Sequence, residues 1–243
     1  TYTTGPDGTV TIQLNQTGHF TVEELTPPKW YLKGENSTQH VNVTAGQTAE
    51  LTFTNKPYGN LRVEKYSDTG EPLAGVTVQI KNLETGETQS GQTGPDGSIE
   101  FTQLAPGGYE VREVAGISGW QADTETVKTA TVVSGETSTT YFVNKELPGL
   151  RVIKYDRESR EKLSGITFSI WRDSEYLGDY ETDGSGEILL TDCQPGTYRV
   201  EEKQSDDEHI TVTTPQEVEL EAGDGIKELV FFNDKKPGIH LTK

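Results

Sequence analysis

The sequence predicts an all-β protein made of tandem β-sandwiches, and three observations support this fold class. Apolar residues alternate with polar residues at a period of two, as in Val76, Val78 and Ile80. Clusters of Gly, Pro, Asp, Asn and Ser interrupt these stretches at intervals typical of short strands joined by turns. Short landmark sequences also recur at a fixed spacing of 89 residues. Together these features indicate repeated sandwiches of about seven strands each, with an immunoglobulin-like arrangement.

The repeat can be followed along the chain through aromatic and leucine landmarks. The corresponding positions are Phe20, Tyr109 and Tyr198; Leu61 and Leu150; and Phe53, Phe142 and Phe231. We interpret 58–147 as a complete middle repeat and 148–236 as a complete C-terminal repeat. Residues 1–57 form an N-terminal repeat that lacks its first strands, and 237–243 hold the opening strand of a further repeat. The short Pro-containing connections predict a semi-rigid, beads-on-a-string array.

Composition excludes several classes of function. The 39 acidic residues against 21 Lys and Arg give a net charge of −18, which is unfavourable for nucleic-acid binding. No apolar run is long enough to span a membrane. One Cys and four scattered His offer no metal-ligand pattern, so we expect no metal and no cofactor. The absence of Met predicts that the sequence is part of a longer chain.

Three polar residues per repeat share a face with the apolar residues of their strands. Alternation places a Lys in phase with the first strand, a Glu with the fifth and an Asn with the last. The residues are Lys65, Glu113 and Asn144 in the middle repeat; Lys154, Glu202 and Asn233 in the C-terminal repeat; Glu24 and Asn55 in the N-terminal repeat; and Lys243 in the terminal segment.

Each of these residues has an ordinary interpretation when it is taken alone. A Lys at a strand end usually extends to water, a Glu there is usually solvated, and an Asn usually forms a turn. Burial of an unpaired charge costs several kcal/mol, so its recurrence in every repeat predicts a compensating role. A buried amine loses its proton more readily and becomes a nucleophile, and a buried carboxyl group can carry the proton. The amine can then attack the Asn side chain, release ammonia and leave an isopeptide bond.

These motifs resemble the Cna protein B-type domain family, the SpaA-like, prealbumin-like repeat domains of Gram-positive surface adhesins and pilins. The opening Leu-x-Val-x-Lys, the central Gly-x-Tyr-x-Val-x-Glu and the closing Phe-x-Asn carry the resemblance. It implies a self-catalysed bond from Lys65 to Asn144, assisted by Glu113. It also implies a second bond, from Lys154 to Asn233, assisted by Glu202.

The resemblance implies a structural stalk or spacer on the bacterial cell surface, extracellular and either attached to the cell wall or secreted. Its expected partners are the neighbouring repeats and, through domains outside this chain, a host extracellular-matrix or cell-surface ligand. We expect no enzyme beyond this single-turnover bond formation. The alternative is a ligand-binding module for a host protein or glycan, with Trp30, Trp120 and Trp171 as contact residues. We interpret the acidic run 205–208 as solvated surface, and Cys193 as a small buried hydrophobic residue.

Overall fold

The structure is a computed structural model that describes all 243 residues, and its regular elements are all strands. The N-terminal repeat has four short strands, β1 (Gly18–Glu23), β2 (Tyr31–Lys33), β3 (Thr38–Val43) and β4 (Asn55–Pro57). Strand β1 pairs antiparallel with β3, and β2 pairs antiparallel with β4. The predicted last strand of this repeat begins only at Asn55, because its partner β2 is three residues long.

The middle repeat contains eight strands, one more than the seven predicted. They are β5 (Gly59–Ser67), β6 (Thr77–Asn82), β7 (Thr88–Gln92), β8 (Ser98–Leu104), β9 (Gly107–Ala115), β10 (Trp120–Gln121), β11 (Val127–Val132) and β12 (Thr137–Glu146). They form two four-stranded sheets with the orders β10-β12-β5-β8 and β11-β9-β6-β7. The additional strand is β10, a two-residue segment that pairs with the end of β12.

The C-terminal repeat contains the seven strands that were predicted. They are β13 (Gly149–Asp156), β14 (Thr167–Arg172), β15 (Glu175–Glu181), β16 (Glu187–Leu190), β17 (Gly196–Gln204), β18 (Gln216–Leu220) and β19 (Ile226–Asn233). The two sheets have the orders β16-β13-β19 and β15-β14-β17-β18. The first and last strands, β13 and β19, are parallel neighbours, in register from Gly149 opposite Ile226 to Asp156 opposite Asn233.

The core of the C-terminal repeat shows why the alternating pattern folds in this way. Apolar residues at every second position of β13, β14 and β17 point into one cluster, which includes Val152, Phe168 and Val200, all fully buried. The rings of Phe168 and Phe231 lie 4.9 Å apart between centroids. Each fully buried side chain of this size stabilises the fold by about 1.5–3 kcal/mol. Cys193 is also buried here, as its alignment with an apolar position predicted.

The turn before β16 requires a glycine. Gly186 has φ +71°, and a Cβ atom added to it would lie 2.6 Å from the Cβ of Lys162. Gly184, two residues earlier in the same turn, has no atom within 4 Å of such a position. Gly97 occupies the equivalent position in the middle repeat with the same φ. The Gly-x-Gly and Asp-Gly turns therefore permit a close approach of two loops as well as a change of direction.

The chain divides into two compact units. The first comprises Thr1–Leu61, Phe101–Gly108 and Thr131–Ser138, and the second comprises Arg62–Glu100, Tyr109–Ala130 and Thr139–Lys243. In the first unit, the Ser134 hydroxyl donates a hydrogen bond to the Pro57 carbonyl at 2.9 Å.

Within the second unit, the connection between β12 and β13 is held by backbone hydrogen bonds. Leu147 donates to the Gly119 carbonyl at 2.8 Å, and the Pro148 carbonyl accepts from Cys193 at 2.9 Å. Pro148 is buried, so this connection does not behave as a free linker. At the other end of the chain, Ile239 and Leu241 are 89% and 88% exposed and form no strand. A strand needs a partner for its backbone groups, and these residues have none.

Candidate functional site

A lysine, a glutamate and an asparagine from three strands meet in the interior of the middle repeat. Lys65 on β5 and Asn144 on β12 are fully buried, and the Glu113 side chain on β9 is 2% exposed. Lys65 Nζ lies 2.8 Å from Glu113 Oε2 and donates a hydrogen bond to Asn144 Oδ1. Asn144 Nδ2 donates to Glu113 Oε1 at 3.0 Å. Each of the three groups therefore contacts the other two.

The C-terminal repeat has the same cluster, and all three of its side chains are fully buried. Lys154 Nζ lies 2.7 Å from Glu202 Oε2 and donates to Asn233 Oδ1 at 2.5 Å. Asn233 Nδ2 donates to Glu202 Oε1 at 2.6 Å. Lys154 and Asn233 lie on the parallel strands β13 and β19, two register positions apart, so the long lysine side chain reaches along the sheet to the carboxamide.

The N-terminal repeat holds only the acid and the carboxamide. Asn55 Nδ2 donates to Glu24 Oε1 at 2.9 Å, as in the other two clusters. Glu24 Oε2 and Asn55 Oδ1 are buried without a hydrogen-bond partner. In the middle and C-terminal repeats, the corresponding two oxygens face the lysine. Lys243 lies in the exposed C-terminal segment.

A β-bulge lies beside the glutamate in both complete repeats. In the middle repeat, the register of β6 against β9 shifts at Val78, which pairs with Glu113. In the C-terminal repeat, the register of β14 against β17 shifts at Phe168, which pairs with Glu202. A bulge adds a residue to one strand and changes the direction of the nearby side chains. The alternating sequence pattern does not reveal this feature.

Burial lowers the pKa of both lysine ammonium groups, and the neighbouring glutamate offsets this effect only in part. The surroundings are apolar, since Lys65 Nζ lies 5.4 Å from the ring centroid of Phe142. Lys154 Nζ lies 5.8 and 5.9 Å from the ring centroids of Phe168 and Phe231. A lowered pKa increases the fraction of neutral amine, which is the nucleophilic form.

The two clusters differ in their remaining partners, which the sequence analysis did not predict. In the middle repeat, the Asp123 backbone N–H donates to Asn144 Oδ1 at 2.8 Å. In the C-terminal repeat, Asn233 Nδ2 donates to the Ser205 hydroxyl oxygen at 2.8 Å. At the repeat spacing, Asp123 aligns with Val212 and Ser205 aligns with Gly116. Neither residue recurs, so the periodicity carried no signal for them.

A second polar cluster lies near Asn233. It corrects the interpretation of the acidic run 205–208 as solvated surface for Ser205 and Asp206, whereas Asp207 and Glu208 are exposed as expected. His209 is 4% exposed, and its Nε2 lies 2.8 Å from Asp156 Oδ2 while its Nδ1 lies 2.8 Å from Asp206 Oδ1. Burial alone would lower the pKa of His209, but the two carboxylates raise it overall. Hydrogen bonds from the Ser159 backbone and from His209 lower the pKa of Asp156. This loop is therefore pinned by ion pairs to the end of β13.

The three tryptophans lie in different environments. Trp30 is 48% exposed, with Lys29 Nζ at 4.4 Å from its ring centroid. Trp120 is half-buried on β10, and Trp171 on β14 packs between Tyr176 and the Arg199 guanidinium. Only Trp30 therefore presents much of its ring to solvent. No three His, Cys, Asp or Glu residues are arranged to hold a metal ion, and no helix is suited to crossing a membrane.

The fold and the buried clusters define a class of tandem β-sandwich repeats whose first and last strands are linked through a Lys–Glu–Asn contact. Residues 59–146 and 148–235 both match the family model described as SpaA, prealbumin-like fold domain, and together they cover more than half of the chain. The chain therefore belongs to the SpaA prealbumin-like domain family. The resemblance drawn from the sequence motifs is confirmed.

Several known proteins are similar to this chain. Serine-aspartate repeat-containing protein D of Staphylococcus aureus strain Newman is 26% identical over an alignment of 245 residues, and the match covers 83% of this chain and 19% of that protein. The protein of the same name from strain MW2 is also 26% identical, with 83% and 18% covered. The chain thus spans about a fifth of the length of these curated relatives.

Solved structures of low sequence identity are also similar. The Bacillus anthracis TIE protein is 20% identical with a TM-score of 0.42, and the match covers 90% of this chain and 44% of that one. The shaft pilin SpaA from Lactobacillus rhamnosus GG is 14% identical with a TM-score of 0.47, and the match covers 75% of this chain and 100% of that one.

Proposed function

We propose that the chain is a stalk or spacer segment of an extracellular bacterial surface adhesin or pilus-like protein, attached to the cell wall or secreted. Each complete repeat, 58–147 and 148–236, is locked by a Lys–Asn isopeptide bond that forms without an enzyme. The observation that carries this proposal is the fully buried contact of an amine with a carboxamide, bridged by one carboxylate, in both repeats. The N-terminal repeat 1–57 and the segment 237–243 contribute the matching pieces Glu24, Asn55 and Lys243.

The reaction can be written from the atoms of the C-terminal cluster. Glu202 takes a proton from the Lys154 ammonium group and leaves a neutral amine. The Nζ atom attacks Asn233 Cγ, and the carbonyl oxygen takes the negative charge of the tetrahedral intermediate. Glu202 then passes its proton to Nδ2, the Cγ–Nδ2 bond breaks and ammonia leaves. The second Nζ proton then moves to Glu202, so the carboxyl group ends neutral, the new amide keeps one N–H and the Asn233 nitrogen is released as ammonia.

The product removes the electrostatic cost of the buried cluster. Two charged side chains in an apolar interior are expensive unless their contacts are complete. After reaction the amine has become part of a neutral amide, and only the carboxyl group remains to be accommodated. The energetic drive for the bond therefore comes from the same burial that lowers the lysine pKa.

The bond would stabilise the repeat chiefly by lowering the conformational entropy of the unfolded chain. It joins residues 79 apart in both repeats. A cross-link closing a loop of this length stabilises by about 4–5 kcal/mol in the chain-entropy treatment used for disulfides. An amide is also insensitive to reducing agents, which suits an extracellular protein that contains a single Cys.

Intact-mass measurement tests this proposal. We expect the purified chain to weigh less than its sequence by two ammonia molecules, one per complete repeat. Lys65→Ala should leave only one ammonia missing, and Lys65→Ala combined with Lys154→Ala should leave none. Lys162→Ala is the matched control, because Lys162 pairs with Glu187 at the surface. A wild-type mass equal to the unmodified sequence would refute the proposal.

A second candidate function, ligand binding, is favoured by one observation in the first compact unit. A cleft of about 470 Å³ is lined by Trp30, Tyr31, Pro57, Tyr58, Asn60 and Gln103. Trp30 has φ +73°, unusual for a bulky residue, and it aligns with Gly119, whose φ is +83°. A pull-down with extracellular-matrix proteins or glycans tests this function. Wild type and Trp171→Ala should retain the ligand, and Trp30→Ala should lose it.

A further inference from the structure

Asn144 and Asn233 differ in the hydrogen bonds made by the atom that becomes negatively charged. Asn144 Oδ1 accepts from Lys65 Nζ and also from the Asp123 backbone N–H at 2.8 Å. Asn233 Oδ1 accepts from Lys154 Nζ alone. When Nζ attacks Cγ, this oxygen becomes an oxyanion, and a fixed backbone N–H at hydrogen-bond distance stabilises it. The middle repeat therefore has a donor for the transition state that the C-terminal repeat lacks.

The side chain of Asp123 holds its own backbone in this place. Asp123 Oδ2 accepts from the Val143 backbone at 3.0 Å, one residue before Asn144. Asp123 Oδ1 accepts from the Glu125 backbone at 3.1 Å, and Lys128 Nζ lies 3.5 Å from Oδ2. Burial alone would raise the pKa of Asp123, but these hydrogen bonds and Lys128 lower it overall, which keeps the carboxylate ionised. The carboxylate thus ties the loop to β12 beside the reacting carboxamide.

The C-terminal repeat uses the corresponding groups differently. Val212, which aligns with Asp123, donates its backbone N–H to Glu202 Oε2 at 3.4 Å. Ser205 accepts a hydrogen bond from Asn233 Nδ2, the leaving nitrogen. An acceptor on this N–H favours the planar, unreacted carboxamide, because the amide nitrogen then keeps its lone pair in resonance with the carbonyl. We expect the missing oxyanion donor at Asn233 Oδ1 and the acceptor on Asn233 Nδ2 to slow the C-terminal reaction relative to the middle one.

We propose that Asp123 is a positioning residue that holds its own backbone N–H as an oxyanion donor to Asn144, so that the Lys65–Asn144 bond closes before the Lys154–Asn233 bond. This inference rests on the proposed function, because it concerns the rate of the same reaction. Loss of one oxyanion donor typically costs about 10²–10³ in rate. The expected difference between the repeats is therefore large enough to measure within one molecule.

The test follows both bonds in the same chain after a pulse of cell-free synthesis. Samples are digested over time, and mass spectrometry measures the two linked peptides separately. We expect the Lys65–Asn144 peptide to appear first in wild type. Asp123→Ala should slow it by about 10–100-fold while the Lys154–Asn233 peptide keeps its wild-type rate. Asp123→Asn should retain most of the rate, because its carboxamide oxygen still accepts from a backbone N–H.

The outcomes separate this inference from the proposed function. If neither linked peptide forms in wild type, the proposed function fails. If both form and Asp123→Ala changes neither rate, or slows both equally, the positioning role is overturned. A folding defect is checked in the Lys65→Ala background, where no middle bond forms: Asp123→Ala should leave the far-ultraviolet circular dichroism unchanged. If the spectrum does change, Asp123→Asn decides: a rate close to that of wild type supports the proposal, and a rate as slow as that of Asp123→Ala refutes it.

Discussion

Replacement of Glu202 by Gln should prevent the C-terminal bond while nearly preserving the shape of the core. Glu202 is fully buried and contacts both Lys154 Nζ and Asn233 Nδ2, so it is the group positioned to move protons between them. A carboxamide at this position cannot accept the lysine proton. The variant should therefore weigh one ammonia more than wild type, apart from the substitution itself.

The loss of stability can be worked out from the size of the loop that the bond closes. Lys154 and Asn233 are 79 residues apart, which corresponds to about 4–5 kcal/mol. A domain of under 100 residues shifts its melting temperature by about 4–8 °C per kcal/mol. The transition of the C-terminal repeat should therefore fall by roughly 16–40 °C. The middle repeat, whose own bond is intact, serves as an internal reference in the same calorimetric scan.

Glu201→Gln is the matched control for this variant. Glu201 is the preceding residue, but it pairs with Arg199 on the partly exposed face of β17. Its replacement should leave the mass deficit intact and change stability by no more than about 0.5 kcal/mol. The reasoning is refuted if Glu202→Gln keeps the full ammonia deficit. It is also refuted if the bond is lost and the melting temperature falls no further than in the control.

Three further predictions concern the C-terminal repeat. The two carboxylates beside His209 raise the pKa of its imidazole in the folded chain. The stability that this ion pairing contributes is therefore complete below the ordinary pKa of 6.5 and is lost as the pH rises through the higher folded value. The urea midpoint of wild type should fall between about pH 6 and pH 8.5, and that of His209→Gln should fall much less. Cys193 is buried, and burial raises the pKa of its thiol. It should therefore react with Ellman's reagent on the order of 100-fold more slowly in the folded chain than in denaturant. Equal rates would contradict its place in the core. Gly186→Ala should destabilise by more than about 1 kcal/mol in urea titrations, whereas Gly184→Ala should stay within about 0.5 kcal/mol, because only Gly186 combines a positive φ with a close neighbour.

Much of the fold and of the candidate site could be predicted because a strand has a period of two. Once Val63 is assigned to the core face, Lys65 must follow it inward, and the same logic applies to Val111 with Glu113 and to Phe142 with Asn144. The repeat spacing adds what a single strand cannot give, namely that these three strands belong to one sandwich. Burial of the lysine and the asparagine could thus be anticipated without coordinates.

The remaining residues could not be predicted because they depend on loops. Asp123, Ser205 and His209 lie between strands, where no periodicity dictates which way a side chain points. Their partners are distant in sequence; His209 and Asp156, for example, are 53 positions apart. None of the three recurs at the repeat spacing, so alignment of the repeats does not identify them. The bulges beside Glu113 and Glu202 were missed for a related reason, since a bulge follows from strand pairing and leaves no fixed mark on composition.

The parallel pairing of β13 with β19 has a consequence for the length of the molecule under tension. With Lys154 joined to Asn233, the backbone path through the repeat crosses from one strand to the other at that amide, and the 79-residue separation between them is removed from the path. An unlinked chain of that size would release about 270 Å when pulled straight. A repeat in which this bond has formed cannot release the length of the segment between Lys154 and Asn233. The reach of a protein built from such repeats is then fixed by how many repeats it contains and stays constant as the force on it changes.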